Sequence, residues 1–259
     1  MELAINDLPG EGRPLVVLHG LLGSGRNWLG PARKLNASGR RVVMADMRNH
    51  GQSPWGRPMT YPAMADDVAE LIGRLDAGPV DLLGHSMGGK AAMNLALRRP
   101  DLVARLVVVD IAPVAYSHRS FADFFDAMRA LDLGSLRRRG DADTAMARDV
   151  EDVAMRGFLL QNLESDGAGG FRWRVDLDLL TESLPNLVGW EDPADVSPFQ
   201  GPTLALRGAL SPYVTGAGEE ALRRLFPAVR IEPIPQAGHW PHVEAPVPFL
   251  TALGAFLDG

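Results

Sequence analysis

Short apolar runs alternate along the chain with longer segments of helical spacing. The runs at 15–18, 41–45, 80–83, 106–109, 203–206 and 230–234 have strand length. Several are continuous rather than alternating, the pattern of strands covered on both faces of a parallel sheet. Helical spacing predicts helices at 26–37, 61–75, 86–98, 218–225 and 247–257. The helix at 86–98 follows the strand at 80–83 at once and stops before Pro100. This alternation predicts an α/β fold, a mostly parallel central sheet covered by helices. The rhythm breaks between about 113 and 190. That stretch predicts helices at 121–131 and 142–163 and a Gly-rich turn at 167–170, with no buried strand, before the strand pattern resumes at 203. It reads as a helical cap, 113–190, inserted into a core formed by 1–112 and 191–259. Such an insertion lies over the C-terminal ends of the strands, where open α/β sheets bind ligands.

Composition narrows the chemistry. Of 259 residues, 46% are apolar and 22% charged, enough apolar material for one large soluble domain. A net charge of −6 gives no general attraction to nucleic acid or an anionic membrane. The absence of cysteine excludes disulfides, thiolate metal sites and a cysteine nucleophile. No apolar run approaches the roughly 20 residues of a membrane span. The first residues have neither a basic start nor a long apolar run, so a cytoplasmic protein is the expectation. There is no phosphate-binding lysine motif, no G-x-G-x-x-G after a strand and no H-E-x-x-H. No cofactor and no metal are therefore expected. The sequence carries no signal for oligomeric state.

The sharpest motif is Gly84-His85-Ser86-Met87-Gly88, a G-x-S-x-G between a predicted strand and a predicted helix. In that context a serine sits on a tight, strained turn and presents its hydroxyl above a helix N-terminus. The flanking glycines keep side chains out of the turn. Ser86 is the candidate nucleophile. Its base should follow the last strand, and Pro235-Gln236-Ala237-Gly238-His239-Trp240 does so, which selects His239, with His242 as the fallback. Of the other histidines, His85 should point away from the serine, His19 ends a strand, and His50 and His118 lie in loop-like segments.

The acid is less obvious. Its usual place is the turn after the next-to-last strand, here Arg207-Gly208-Ala209-Leu210-Ser211, where Ser211 stands instead of a carboxylate. A serine cannot orient and stabilise an imidazolium by charge. Asp110, at the tip of the strand after the nucleophile helix, is the candidate, ahead of Asp178 in the cap. Two backbone amides should hold an oxyanion: Met87, and one from His19-Gly20-Leu21-Leu22-Gly23, with Leu21 preferred to Leu22. The polar loop Asp46 to Pro54 suits structural support beside the site. Leu22, Phe124, Phe125 and Trp240 are the pocket candidates, with Met87, Trp28 and Val114 behind them.

Five strings, His19 to Ser24, Asp46-Met47-Arg48-Asn49-His50-Gly51, Gly84 to Lys90, Val109-Asp110-Ile111-Ala112-Pro113 and Ala237-Gly238-His239, together resemble the YbfF-type esterases and the neighbouring abhydrolase-domain 11 group. Cap segments Phe171 to Val175 and Leu187 to Trp190 are similar as well. The resemblance implies the α/β-hydrolase fold, with the cap after the strand that follows the nucleophile helix. It implies a cofactor-free hydrolase acting on a small-molecule carboxylic ester or acyl thioester, and it favours Asp110 over Ser211. Rival readings are another reaction on the same framework, such as C–C hydrolysis or perhydrolysis, and a non-catalytic binder. An epoxide hydrolase or dehalogenase would need Asp at position 86.

Overall fold

The computed structural model describes residues 1–117 and 119–259, the side chains of 119 and 120 excepted; His118 lies outside them. The strands are β1 (Ile5–Leu8), β2 (Glu11–Leu18), β3 (Arg40–Ala45), β4 (Val80–His85), β5 (Val103–Val109), β6 (Leu163–Ser165), β7 (Phe171–Trp173), β8 (Thr203–Gly208) and β9 (Val229–Ile234). Seven of them form one sheet in the order β1-β3-β2-β4-β5-β8-β9. Within this sheet, among the described residues, only the β1–β3 pairing is antiparallel.

The continuous apolar runs are explained by cover on both faces. In β2, Val16 and Leu18 join Leu82 and Val108 on one side, while Leu15 and Val17 join Leu83 and Val107 on the other. The helices are α1 (Leu29–Asn36), α2 (Tyr61–Leu75), α3 (Met87–Arg98), α4 (Arg119–Arg129), α5 (Arg139–Met146), α6 (Val153–Leu160), α7 (Leu177–Glu182), α8 (Leu184–Val188), α9 (Gly216–Leu225), α10 (Pro241–Glu244) and α11 (Pro246–Asp258). Apolar side chains of α2, α3 and α9 cover the first face, and those of α1 and α11 the second. Each fully buried Leu or Val contributes roughly 1.5–3 kcal/mol, so this two-sided burial is the main stabilising term.

The structure departs from the sequence reading at several places, the short helices α7, α8 and α10 among them. β1 was not anticipated, because Ile5-Asn6-Asp7-Leu8 is an exposed antiparallel edge with no apolar run. The single helix expected at 142–163 is two, α5 and α6. The break ends at Asp152, whose carboxylate accepts the Met155 amide at 2.6 Å and starts a new helix. The expected helix at 26–37 opens with a 3-10 turn, Gly25–Trp28. The Gly-rich turn at 167–170 closes a β6–β7 hairpin whose three-residue strands are too short to register as a pattern.

The segment between β5 and β8 carries α4 to α8 and the hairpin. Its exit is tied to α3 by Lys90, which is 1% exposed. Lys90 Nζ donates to the carbonyls of Val188, at 3.0 Å, and Gly189, at 2.7 Å, at the end of α8. The ammonium also lies 4.7 Å from the Tyr116 ring centroid. Burial pushes the lysine down to about 7. The unfolded chain therefore keeps a proton on this amine at pH values where the folded chain has released it. The contribution of Lys90 to folding stability then rises as pH climbs from about 7 toward the free-lysine value of about 10.4. Between pH 7 and 8 the gain is about 1 kcal/mol. Lys90→Met should lack that rise. Urea unfolding of both proteins at pH 6.5, 7.5 and 8.5 checks it, and parallel pH profiles would contradict it.

Candidate active site

Ser86 joins β4 to α3 with φ 51° and ψ −117°, a conformation that side chains rarely adopt. The turn is too tight for neighbouring side chains. A Cβ at Gly84 would stand 2.2 Å from the Gly88 carbonyl oxygen, and one at Gly88 would stand 2.6 Å from the carbonyl oxygens of Leu18 and His19. The spacing of the motif is thus a packing requirement.

The three side chains singled out in sequence converge. Ser86 Oγ is 3.1 Å from His239 Nε2, and His239 Nδ1 is 2.7 Å from Asp110 Oδ2. Asp110 itself is buried, with φ 48° at the tip of β5. Its Oδ1 accepts the Gly208 amide at 2.8 Å, and Oδ2 accepts the Ser211 hydroxyl at 2.5 Å. Ser211, in the turn where an acid was sought, thus bonds to the carboxylate that stands one strand away. Asp178, the other acid considered, is exposed on α7 and pairs with Arg129.

His239 is packed between rings. Tyr213 stacks on it at 4.0 Å between centroids. His85, expected to point away from the site, lies 4.8 Å from the same ring, and its Nε2 donates to the His239 carbonyl at 2.8 Å. Burial first, then the nearby His239 and His242, hold His85 well below the ordinary imidazole range, so it is neutral. His242, the fallback base, stacks on Trp28 at 4.1 Å and is pushed to about 3 by burial and by His239. The support given by Ser211, Tyr213 and His85 was not read from sequence. Their proximity in sequence to the nucleophile and to the β8 turn was the available signal.

Two further neutral histidines fix the loop after β2. Burial pushes His50 to about 3. Its Nε2 accepts the Leu22 amide at 3.1 Å, and its Nδ1 donates to the Arg48 carbonyl at 2.9 Å. His19 is lowered by burial too; it accepts the Met47 amide and donates to the Gly20 carbonyl. Asp46 accepts the amides of Gly25 and Gln52 at 2.7 and 2.8 Å. The 46–54 loop is thus a brace for the 19–23 loop. Leu22 takes a left-handed φ of 61°, with its amide spent on His50. The amides of Leu21 and Met87 have no backbone or side-chain acceptor among the described residues.

Ser86 opens on a groove of about 1040 Å³ lined by Leu22, Trp28, Phe124, His239 and Trp240. Phe125, expected in the pocket, is fully buried in the core instead. Successive residues on a helix point about 100° apart, so α4 can direct only one of the two phenylalanines to the groove. Val114 packs against the core and lines no part of the groove. Ser86, Leu21 and Met87 also line a second, small cavity, which shares Leu21, Ser86, Phe121 and Tyr213 with the groove. Among the described residues no three His, Asp or Glu side chains are grouped to hold a metal ion, and no helix is long and apolar enough to cross a membrane.

The chain is similar to known proteins. The chain is 41% identical to a mouse protein named sn-1-specific diacylglycerol lipase ABHD11, over 99% of this chain and 85% of that one. It is 37% identical to esterase YbfF of Escherichia coli, over 95% and 93%. A solved structure of a marine microorganism esterase superposes with a TM-score of 0.95 at 35% identity, covering 98% of this chain and 99% of the other. Residues 13–246 match the family described as the alpha/beta hydrolase fold, and the chain belongs to that family.

Proposed function

We propose that the protein is a serine hydrolase that cleaves carboxylic esters through an acyl-enzyme on Ser86. The observation that carries this is the chain of contacts from Asp110 through His239 to the Ser86 hydroxyl, with steps of 2.7 and 3.1 Å, at the floor of an apolar groove. The names of the lipase and esterase relatives support the substrate class.

In the first half-reaction His239 Nε2 takes the proton of Ser86 as its oxygen attacks the ester carbonyl. The carbonyl oxygen becomes an anion held by the amides of Leu21 and Met87. Leu22 is unsuited to that role because its amide is bonded to His50. His239 then gives its proton to the departing alcohol. In the second half-reaction water, deprotonated by His239, releases the acid and restores Ser86. Asp110 holds the imidazole with its proton on Nδ1 and stabilises the imidazolium. Ser211 and Gly208 hold Asp110. The inserted segment, 113–190, serves as a cap over the groove. Acyl thioesters are a second substrate type for the same steps, with a thiol as leaving group.

A fluorophosphonate probe should label the wild-type protein and leave Ser86→Ala unlabelled, with loss of turnover on p-nitrophenyl esters. Absence of wild-type labelling would point to a binding protein on this fold. Asp110→Asn should lower kcat by about 10⁴ with little change in KM, since an amide favours the wrong imidazole tautomer. Ser211→Ala removes one donor to the carboxylate and should cost far less, about tenfold or under. Steady-state kinetics on the two variants checks the order, and equal losses would show that Ser211 does more than support Asp110.

A further inference from the structure

The serine borders two unequal spaces, and the chemistry of the intermediate decides what enters each. In the tetrahedral intermediate the former carbonyl carbon carries four groups: Ser86 Oγ, the oxyanion, the leaving oxygen and the first carbon of the acyl chain. The leaving oxygen must be within reach of His239, which protonates it. His239, Trp240 and His242 line the large groove and take no part in the small cavity. The oxyanion is held by Leu21 and Met87. The direction left for the acyl chain leads past Met87, which lines the small cavity and not the groove, into that cavity.

We propose that the acyl group is held in the small cavity and limited there to a short chain, while the alcohol half, however large, occupies the groove. This rests on the serine-hydrolase reading above and names the substrate class of that site: short-chain acyl esters of bulky alcohols.

The volume of the small cavity is about 20 Å³, against about 1040 Å³ for the groove. Its far wall is formed by Tyr61, Lys90, Ile111, Tyr116, Leu187 and Val188. That wall is cross-linked. The Tyr61 hydroxyl donates to the Leu187 carbonyl, Lys90 to Val188 and Gly189, and the Tyr116 amide to Val188 at 2.9 Å. The Tyr116 hydroxyl donates to the Tyr213 carbonyl at 2.8 Å. The polar atoms of the wall thus face backbone partners, and the space between is bounded by ring faces and aliphatic groups. A methyl fits as the protein stands. Each further methylene must push against a braced wall rather than a free side chain.

The test is a series of p-nitrophenyl esters from acetate to octanoate, with an acetate series of growing alcohols beside it. Expected is a kcat/KM highest at acetate or propionate and about tenfold or more lower at hexanoate, the cost of overfilling a fixed pocket. The acetates should tolerate long alcohols without such a fall. Leu187→Ala should raise the hexanoate-to-acetate ratio about tenfold, and Val188→Ala should raise it too. Thermal melting confirms that the variants are folded, and the alcohol series needs no variant. A rate that rises from acetate to octanoate overturns the proposal. So does faster turnover of dioctanoylglycerol than of triacetin, or an unchanged ratio in both folded variants. If no ester is turned over and no fluorophosphonate label appears, the serine-hydrolase reading fails, and this inference with it.

Discussion

The carboxylate of Asp110 is the point on which the site turns. Three donors reach it from three separate parts of the chain: the Gly208 amide at the end of β8, the Ser211 hydroxyl in the following turn, and the His239 ring after β9. A carboxylate buried this deeply is costly unless its oxygens are satisfied, and here each oxygen has a partner. The same bonds set the distance between neighbouring strand tips. The Asp110 amide donates to the Leu206 carbonyl at 2.8 Å, so the backbone joins β5 to β8 where the side chain joins β5 to the loops beyond. The imidazole is therefore aimed by the edge-to-edge spacing of the sheet, and any change in that spacing reaches the serine.

Much of this arrangement was legible in the residues. The parallel strands were visible because both of their faces are covered, which leaves continuous apolar runs. Ser86 was visible because a Cβ on either flanking glycine would collide with backbone, so the turn can be built from few residue types. His239 was visible from its place after the last strand. What escaped depends on contacts between distant segments or on elements too short for a period. β1, β6 and β7 have four, three and three residues. The direction of His85 is set by the carbonyl of a residue far along the chain. The choice between Phe124 and Phe125 is a matter of helix rotation, which one apolar pair cannot fix.

The histidines show how burial assigns work to identical side chains. His19, His50, His85 and His242 are driven toward the neutral form by the loss of water around them, and the first three act as fixed donors or acceptors for backbone groups. Neutral rings beside His239 add no fixed positive charge to the site. The imidazole that meets Ser86 is more open to the groove than its buried neighbours.

The loop that follows β2 is held from above as well as below. The Leu22 carbonyl accepts the Asn162 amide group at 2.8 Å and that of Gln161 at 3.2 Å, and Asn27 donates to Gln161 at 2.7 Å. These donors belong to the inserted segment, one residue along the backbone from the Leu21 amide. A chimera that replaces the segment between β5 and β8 with a different one would therefore inherit an unsupported carbonyl at Leu22. Its designer would have to provide a matching side-chain amide there, or accept a looser loop beside the serine.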